Sequence, residues 1–220
     1  MKTDNITRQN LYDLVYSELG ISKNLCSDFV DDIFSTMIGG LQNEKKVFLT
    51  REPGGTKISE KIRSLVIQDL NNQSNPLTEL FLLFAARAEH YDVIKDKLKK
   101  GYIVLCDRYL DSTMAYQHYN GHIQTKTINY LQSLIDHNKK PNLTILLDLD
   151  PKVGKKRIVK RKRKLDRFDK ESINKMNKIR KAFIKISNVN KNRIVTISNN
   201  LSKKDVQNSI RLIVLKFINK

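Results

Sequence analysis

The sequence predicts an α/β fold in which a parallel sheet is flanked by helices. Short apolar runs, such as residues 103–106 and 143–149, each end in polar residues, as strands buried in a parallel sheet do. Longer stretches with the apolar spacing of helices separate these runs. The 220 residues are enough to bury the core of one such domain.

The net charge of +18 is unevenly distributed along the chain. Residues 1–150 carry 18 Lys and Arg against 19 Asp and Glu, whereas residues 151–220 carry 23 against 4. A basic segment of this kind suits DNA or RNA, a polyphosphate substrate, or a lysine-rich surface exposed to water. The composition leaves these three interpretations open.

The cysteines and the hydropathy pattern predict a cytoplasmic protein. Cys106 lies in an apolar run and Cys26 in a predicted helix, so we expect two reduced thiols. No apolar run is long enough to cross a bilayer, and the polar residues 1–10 are unlike a secretion signal. We therefore expect no membrane-spanning segment.

Residues 7–43 predict a pair of helices with a broad apolar face. Thr7 and Ser22 are suited to cap the two helices, and Gly20 to end the first. The strings Thr-Arg-Gln-Asn-Leu and Phe-Val-Asp-Asp-Ile-Phe within this segment resemble the first two helices of the histone-like HU and integration host factor family. An ordinary amphipathic hairpin is the alternative interpretation.

The hairpin is a weak candidate for binding DNA. The β-ribbon arm with which the HU family grips DNA has no counterpart here, and residues 1–46 carry five Lys and Arg against seven Asp and Glu. Nucleic acid is therefore the less favoured partner, and association into a homodimer is the favoured role. We expect a helical hairpin over residues 1–46 and an α/β domain over residues 47–220.

The α/β domain begins with a predicted strand at residues 47–50, followed by Arg51-Glu52-Pro53-Gly54-Gly55-Thr56. Pro-Gly-Gly forces a turn in which the backbone can approach a ligand closely. Helices are predicted at residues 57–70, 77–99, 123–138 and 203–219, and a last strand at residues 193–197. We expect His90 to be a surface or capping residue of its helix rather than a catalyst.

Asp107, Arg108 and Tyr109 follow the predicted strand at residues 103–106 directly. In open parallel sheets, ligands bind at the carboxyl ends of the strands. A carboxylate there can hold Mg²⁺ through water, and a neighbouring arginine can make two hydrogen bonds to a phosphate. A structural Asp–Arg pair that closes a loop is the alternative.

Longer strings decide between these alternatives. Arg-Glu-Pro-Gly-Gly-Thr at residues 51–56, Ala-Ala-Arg at 85–87 and Asp-Arg-Tyr…Ser…Ala-Tyr-Gln at 107–117 resemble the signatures of the thymidylate kinases. The resemblance extends from residue 47 to about residue 215 and includes Pro-x-Val-Gly-x-x-Arg at residues 151–157. It implies a phosphate-loop-kinase-like parallel sheet flanked by helices, with a mobile lid at about residues 151–170.

The resemblance also implies an activity and a set of site residues. The activity is transfer of the γ-phosphoryl group of ATP to thymidylate (dTMP), giving dTDP for dTTP biosynthesis, with Mg²⁺ as cofactor. The implied catalytic residues are Asp107, which holds Mg²⁺ through water, Arg108, and the lid residues Arg157, Arg161 and Arg167, with Arg163 beside them. The implied substrate-binding residues are Arg51, Glu52, Leu83, Phe84, Arg87, Arg108, Ser112, Thr113, Tyr116 and Gln117.

Two details of this site stay open at the sequence level. Leu83 stands where the family has an aromatic residue that stacks on thymine, so either the base platform is altered or Phe84 takes that role. The lid arginines either close over the triphosphate and offset its charge in the transition state or belong to a lysine-rich helix exposed to water.

One element of the family is not found. The phosphate-loop kinases begin with a strand and the pattern Gly-x-x-x-x-Gly-Lys-Ser/Thr, which occurs nowhere in the 220 residues. We therefore expect a sheet missing its first strand, which in the family is central, and impaired activity. Two alternatives remain: a non-catalytic nucleotide- or DNA-associated protein built on HU-like helices, and the product of a chimeric or frameshifted gene.

Overall fold

The computed structural model describes residues 46–70, 74–137, 139–160, 168–198 and 200–218. The predicted hairpin at residues 7–43 lies outside the described residues, as do Arg161, Arg163 and Arg167 of the predicted lid. Strands and helices alternate through the described part, so the α/β prediction is confirmed. No helix in that part is long and apolar enough to span a membrane.

The strands and helices follow the predicted order. The strands are β1 (Val47–Arg51), β2 (Ile103–Asp107), β3 (Thr144–Asp148) and β4 (Ile194–Ser198). The helices are α1 (Lys57–Ser64), α2 (Pro76–Lys99), α3 (Leu110–Thr113), α4 (Thr125–Asp136), α5 (Pro151–Lys160), α6 (Ile173–Val189) and α7 (Lys203–Ile218). A π-helical segment continues α1 (Leu65–Asp69), and another continues α3 (Met114–Asn120).

The strands form two parallel pairs. β1 pairs with β2 in a register that runs from Val47 opposite Ile103 to Arg51 opposite Asp107. β3 pairs with β4 in the same parallel sense. Among the described strands, β2 has no partner other than β1, and β3 none other than β4. The first pair therefore brings the segments that follow residues 51 and 107 to one edge of a sheet.

The apolar core consists of three clusters that the helices form with each other and with the second strand pair. The first contains Leu80, Phe84, Ile123 and Ile128, the second Ala115, Ala182, Ile186 and Ile194, and the third Ile197, Val206, Ile210 and Val214. Along β3, Leu146 packs on the second cluster, whereas Ile145 and Leu147 pack on the third. Because side chains of a strand alternate between faces, β3 carries helices on both faces.

The helix α6 is not among the predicted elements, because its many lysines obscure its apolar face. Its first turn is capped by Ser172, whose hydroxyl accepts a hydrogen bond from the amide of Lys175. Ile179, Ala182 and Ile186 are buried at the spacing of one helix face. This face supplies half of the second core cluster.

A half-buried ion pair joins the second strand pair to the segment after β2. Both Nη atoms of Arg193 donate to the carboxylate of Asp111, over 2.7 and 2.8 Å, and Nη1 also donates to the hydroxyl of Thr144. A bidentate contact of this kind fixes orientation as well as distance. It ties the start of β3 and β4 to α3, which carries several of the predicted site residues.

Candidate functional site

Three arginines lie around the carboxyl ends of β1 and β2. Arg51 ends β1 opposite Asp107, and Arg108 follows β2 directly. Arg63 joins them from α1: burial lowers the pKa of its guanidinium, and the charges of Arg51 and Arg108 lower it further. The charges of Glu60 and Asp107 act in the opposite direction. Guanidinium groups at the edge of a sheet can bind an anion.

Glu60 holds Arg51 in place without using all of its donors. Nη2 of Arg51 donates to Oε2 of Glu60 over 2.7 Å, and Oε1 of Glu60 accepts from the amide of Gly55 over 2.9 Å. The Nε atom of Arg51 is buried and has no hydrogen-bond partner within the described ranges. A buried donor without a partner is costly, and an anionic ligand would supply the missing acceptor.

The turn after β1 requires glycine. Gly54 and Gly55 have φ angles of +143° and +87°, which side-chain-bearing residues rarely adopt. A Cβ at Gly55 would lie 2.4 Å from Cδ2 of His90 and 2.8 Å from the hydroxyl oxygen of Thr50. The two glycines therefore let the backbone pass directly over buried side chains.

The expectation that His90 is a surface or capping residue is wrong. His90 is fully buried, with its Nε2 atom 2.5 Å from the hydroxyl oxygen of Thr50 and its Nδ1 atom 3.4 Å from Oε1 of Glu52. It lies on the face of α2 that packs under the glycine turn. His90 thus supports the loop of predicted site residues from below.

Arg87 is the centre of a buried polar cluster, with only 3% of its surface exposed. Its Nε donates to Glu52 over 2.8 Å, its Nη2 to Thr113 over 2.9 Å and its Nη1 to Gln132 over 2.9 Å. The fold thus brings together three predicted site residues, Glu52, Arg87 and Thr113. Gln132 is an addition that no sequence motif marks.

Two aromatic rings cover the guanidinium of Arg87. Its Cζ atom lies 5.0 Å from the ring centre of Phe84 and 5.1 Å from that of Tyr109, within the range of cation–π attraction. Phe84 is 5% exposed and belongs to the first core cluster, whereas Leu83 is half-buried. Phe84 is therefore engaged both in the core and against Arg87.

The remaining predicted residues of the segment after β2 lie on α3 and its π-helical continuation. Thr113 and Gln117 are buried and Ser112 and Tyr116 half-buried. Nε2 of Gln117 donates to Glu79 over 3.0 Å. The ring of Tyr116 lies 5.6 Å from Cζ of Arg108. The fold therefore connects this segment both to α2 and to the arginine group.

Asp107 is exposed at the carboxyl end of β2. Within the described ranges, no group of three or more His, Cys, Asp or Glu side chains could hold a metal ion. A single exposed carboxylate still fits Mg²⁺, which keeps several waters and completes its shell with phosphate oxygens. In the predicted lid, Arg157 is an exposed residue of α5.

Three residues that the structure adds to this region carry weak sequence signals. Arg63 follows Glu60 at helical spacing on α1, which is the only hint of its place. Gln132 and Asp136 are 0% and 1% exposed on α4. Their sequence neighbours give no motif, so only the packing of α4 reveals them.

Comparison with known proteins gives consistent matches. The family model described as thymidylate kinase matches residues 36–210. A thymidylate kinase of Sulfurihydrogenibium sp. is 39% identical over 167 residues, which are 76% of this chain and 80% of that protein. A thymidylate kinase of Acholeplasma laidlawii is 42% identical over 166 residues, which are 74% and 80% of the two chains.

A solved structure is also similar. The crystal structure of thymidylate kinase from Ehrlichia chaffeensis superposes with a TM-score of 0.65 at 27% identity. The match covers 87% of this chain and 92% of that one. The likeness therefore extends over the fold as well as over the sequence.

Proposed function

The chain belongs to the thymidylate kinase family, and on this premise we propose that it transfers the γ-phosphoryl group of ATP to dTMP, forming dTDP and ADP. One observation carries the proposal: Arg51 and Arg108 lie at the carboxyl ends of two paired parallel strands, and Arg63 of α1 donates to the carbonyl of Pro53 in the turn that follows Arg51. Ligands bind at that edge of such sheets, and guanidinium groups there suit the phosphate of dTMP.

In the proposed site, Arg51 and Arg108 hold the acceptor phosphate. Glu60 orients Arg51 through Nη2, and the buried Nε atom remains as a donor for a phosphate oxygen. Arg63 adds positive charge from α1 while its Nη1 donates to the carbonyl of Pro53. In phosphoryl transfer the protein contributes mainly positioning and charge stabilisation. In this proposal the three arginines position the phosphate oxygen of dTMP that attacks ATP.

The nucleoside lies, in this proposal, against the residues around Arg87. Glu52 fixes the guanidinium, and the α3 segment contributes Ser112, Thr113, Tyr116 and Gln117. Leu83 and Phe84 supply the apolar wall. Because Glu52, Thr113 and Gln117 are already hydrogen-bonded to protein side chains, this part of the cluster is held in place before the substrate arrives, which lowers the cost of binding.

Asp107 is the proposed holder of Mg²⁺, through water. When bound, the ion would neutralise negative charge on the phosphates of ATP. Arg157, together with Arg161, Arg163 and Arg167 beyond the described ranges, would close over the triphosphate and stabilise its charge.

We further propose that this chain turns over slowly. The pattern Gly-x-x-x-x-Gly-Lys-Ser/Thr, whose backbone amides and lysine hold the phosphates of ATP in phosphate-loop kinases, is absent from the 220 residues. In the described part, β2 and β3 each pair on one side only. This arrangement supports the view that one strand is missing between them.

The proposed assembly is a homodimer in the cytoplasm. Leu77 and Phe81 of α2 and Tyr130 and Leu134 of α4 are 43–65% exposed, each pair one turn apart on helices that pack together. A group of exposed large apolar side chains marks an association surface. Within the described part of the chain, Cys106 forms no disulfide, which is consistent with the reducing compartment proposed from the sequence.

The proposal is tested with the full chain in two steps. Calorimetric titration should show binding of dTMP, and chromatography of a reaction with dTMP and magnesium-ATP should show dTDP and ADP in equal amounts. Absence of dTMP binding would contradict the proposed function. Binding without any dTDP would leave only the non-catalytic alternative.

A further inference from the structure

We propose that Gln132 is a positioning residue for the dTMP site, and that Asp136 sets the orientation of its amide. The inference rests on the proposed function in one respect, namely that Arg87 belongs to the site. Both residues lie on α4, outside every motif by which the family resemblance is recognised. Their role follows from the hydrogen bonds that they make in a fully buried environment.

Gln132 connects Arg87 to α4. Its Oε1 atom accepts from Nη1 of Arg87 over 2.9 Å, and the residue is 0% exposed. Its Nε2 atom donates to Oδ2 of Asp136 and lies 3.4 Å from the hydroxyl of Tyr109. The oxygen of the amide thus faces a donor, and its NH₂ group faces acceptors.

Asp136 determines which way the amide of Gln132 points. A carboxylate only accepts hydrogen bonds and a guanidinium only donates them. If the amide were reversed, its NH₂ group would face Arg87 and its oxygen would face Asp136, leaving both contacts repulsive. Because Asp136 attracts the NH₂ group, the oxygen is directed at Arg87.

Asp136 also fixes the ring that covers Arg87. The hydroxyl of Tyr109 donates to Oδ2 of Asp136 over 2.6 Å. Burial raises the pKa of that hydroxyl, and the hydrogen bond to Asp136 raises it further, so the phenol remains a donor. Tyr109 is the residue after Arg108. The carboxylate of Asp136 therefore holds the ring of Tyr109 against Arg87. It also fixes the backbone next to Arg108, the proposed phosphate-binding residue.

The position of Asp136 is costly for stability. It ends α4, where the helix dipole is unfavourable for a negative charge, and its Oδ1 atom is buried without a hydrogen-bond partner in the described part. Buried groups left in this state call for an explanation beyond packing. Alignment of Gln132 and Tyr109 around Arg87 provides one.

Without Gln132, the hydrogen-bond acceptors that Arg87 keeps among the described residues are Glu52 and Thr113. Nη1 would lose its acceptor, and the guanidinium could rotate about its remaining contacts. The proposed consequence is a misplaced Arg87 on the nucleoside side of the site. The phosphate contacts of Arg51 and Arg108 would remain.

The test uses Gln132→Met, which keeps the volume and removes the hydrogen bonds. Loss of one buried hydrogen bond to a charged group should weaken binding of dTMP about tenfold. Thymidine binding should weaken by the same factor, because Gln132 acts on the nucleoside and not on the phosphate. Gln132→Glu combined with Asp136→Asn keeps an acceptor for Arg87 and places the amide donor on residue 136, so that the two side chains still meet as donor and acceptor; this double variant should stay within about threefold of the unaltered chain.

A second measurement does not depend on a ligand. In nitrogen-15 NMR, the Nη1–H signals of Arg87, whose acceptor is Gln132, should be protected from solvent exchange in the unaltered chain and in Gln132→Glu combined with Asp136→Asn, and lost in Gln132→Met. Ser187→Ala, which removes the hydrogen bond of the buried Ser187 hydroxyl to Thr196 away from the site, is the control for loss of stability alone. If Gln132→Met does not fold, Gln132→Asn replaces it, since its shorter amide cannot reach Arg87.

The outcomes separate the two proposals. If the unaltered chain binds neither dTMP nor thymidine, the proposed function fails, and the Arg87 signal alone decides the role of Gln132. If the unaltered chain binds dTMP and Gln132→Met binds both ligands equally well, the positioning role is overturned. The same holds if Ser187→Ala weakens binding as much as Gln132→Met does.

Discussion

Gly55 lies directly over the ring of His90, so closely that a Cβ at Gly55 would stand 2.4 Å from Cδ2 of the imidazole. Neither side can move easily. His90 is fully buried and contacts Thr50, and Gly55 is tied to Glu60 through its amide. The contact links the glycine turn after β1 to the helix α2 and thereby places Arg51 relative to Arg87.

Gly55→Ala should therefore destabilise the protein more than Gly101→Ala. Both glycines have positive φ angles, +87° and +76°, but a Cβ at Gly101 meets nothing within 4 Å. We expect losses of about 1 kcal/mol at Gly101 and about 2–4 kcal/mol at Gly55 in the free energy of unfolding, measured by urea denaturation. Equal losses would mean that His90 can move away from the added Cβ without a further loss of stability.

Arg108→Ala should weaken binding of dTMP about 10- to 100-fold, because it removes a charge-assisted contact to the phosphate. Thymidine, which has no phosphate, should bind about as well as before. Paired calorimetric titrations with the two ligands measure this difference. A parallel loss of affinity for both ligands would assign Arg108 to the nucleoside instead.

The chain alone should phosphorylate dTMP far more slowly than the usual kinase range of about 1–100 per second. Removing one preorganised electrostatic group typically costs about a hundredfold to a thousandfold in rate, and here a whole phosphate loop is absent from the sequence. A coupled assay of ADP release measures the turnover. Adding a strand–loop–helix peptide with the phosphate-loop pattern should raise the rate, and turnover in the usual range without it would refute the prediction.

The ion pair between Asp148 and Arg180 should make the stability of the protein fall at acid pH. Nε and Nη2 of Arg180 donate to the carboxylate over 2.6 and 2.7 Å, and these bonds lower the pKa of Asp148 in the folded state. A lowered folded pKa contributes stability that is present above the unfolded value of about 3.9 and is lost as pH falls through the folded value.

The corresponding measurement is thermal unfolding between about pH 5 and pH 2, the window in which an aspartate of this kind titrates. Asp148→Asn should flatten the decline of the melting temperature below about pH 4. In a background of Arg180→Gln, the same substitution should have no further effect on the pH dependence. An undiminished effect there would show that a group other than Arg180 stabilises the carboxylate.

Phe81→Lys should convert the proposed dimer into monomers, because it places a charge among the exposed apolar side chains of α2 and α4. Leu212→Lys, at a residue of α7 that is 68% exposed, is the matched control and should leave the mass unchanged. Sedimentation equilibrium measures the mass of each variant. If Phe29→Lys in the predicted hairpin dissociates the dimer and Phe81→Lys does not, the hairpin mediates association.

Much of the fold could be predicted because its signals are local. The predicted strands and helices of the α/β domain differ from the observed ones by at most two residues at their ends. Apolar runs and helical periodicity depend only on neighbours in the chain. The helix α6 was not predicted because its five basic residues obscure that periodicity, although Ser172 is a recognisable N-cap.

The sequence by itself determined the family and the order of the predicted elements, and it supplied the candidate site residues, because the strings at residues 51–56, 85–87 and 107–117 are contiguous. Only the tertiary structure decided how these residues are held. Arg87 and Gln132 are 45 residues apart, and nothing in either segment indicates the other. His90 is buried because a glycine turn lies on it, and Arg63 joins the arginine group because α1 folds beside β1. These contacts depend on how the helices and strands pack against each other, and a local sequence pattern does not contain that information.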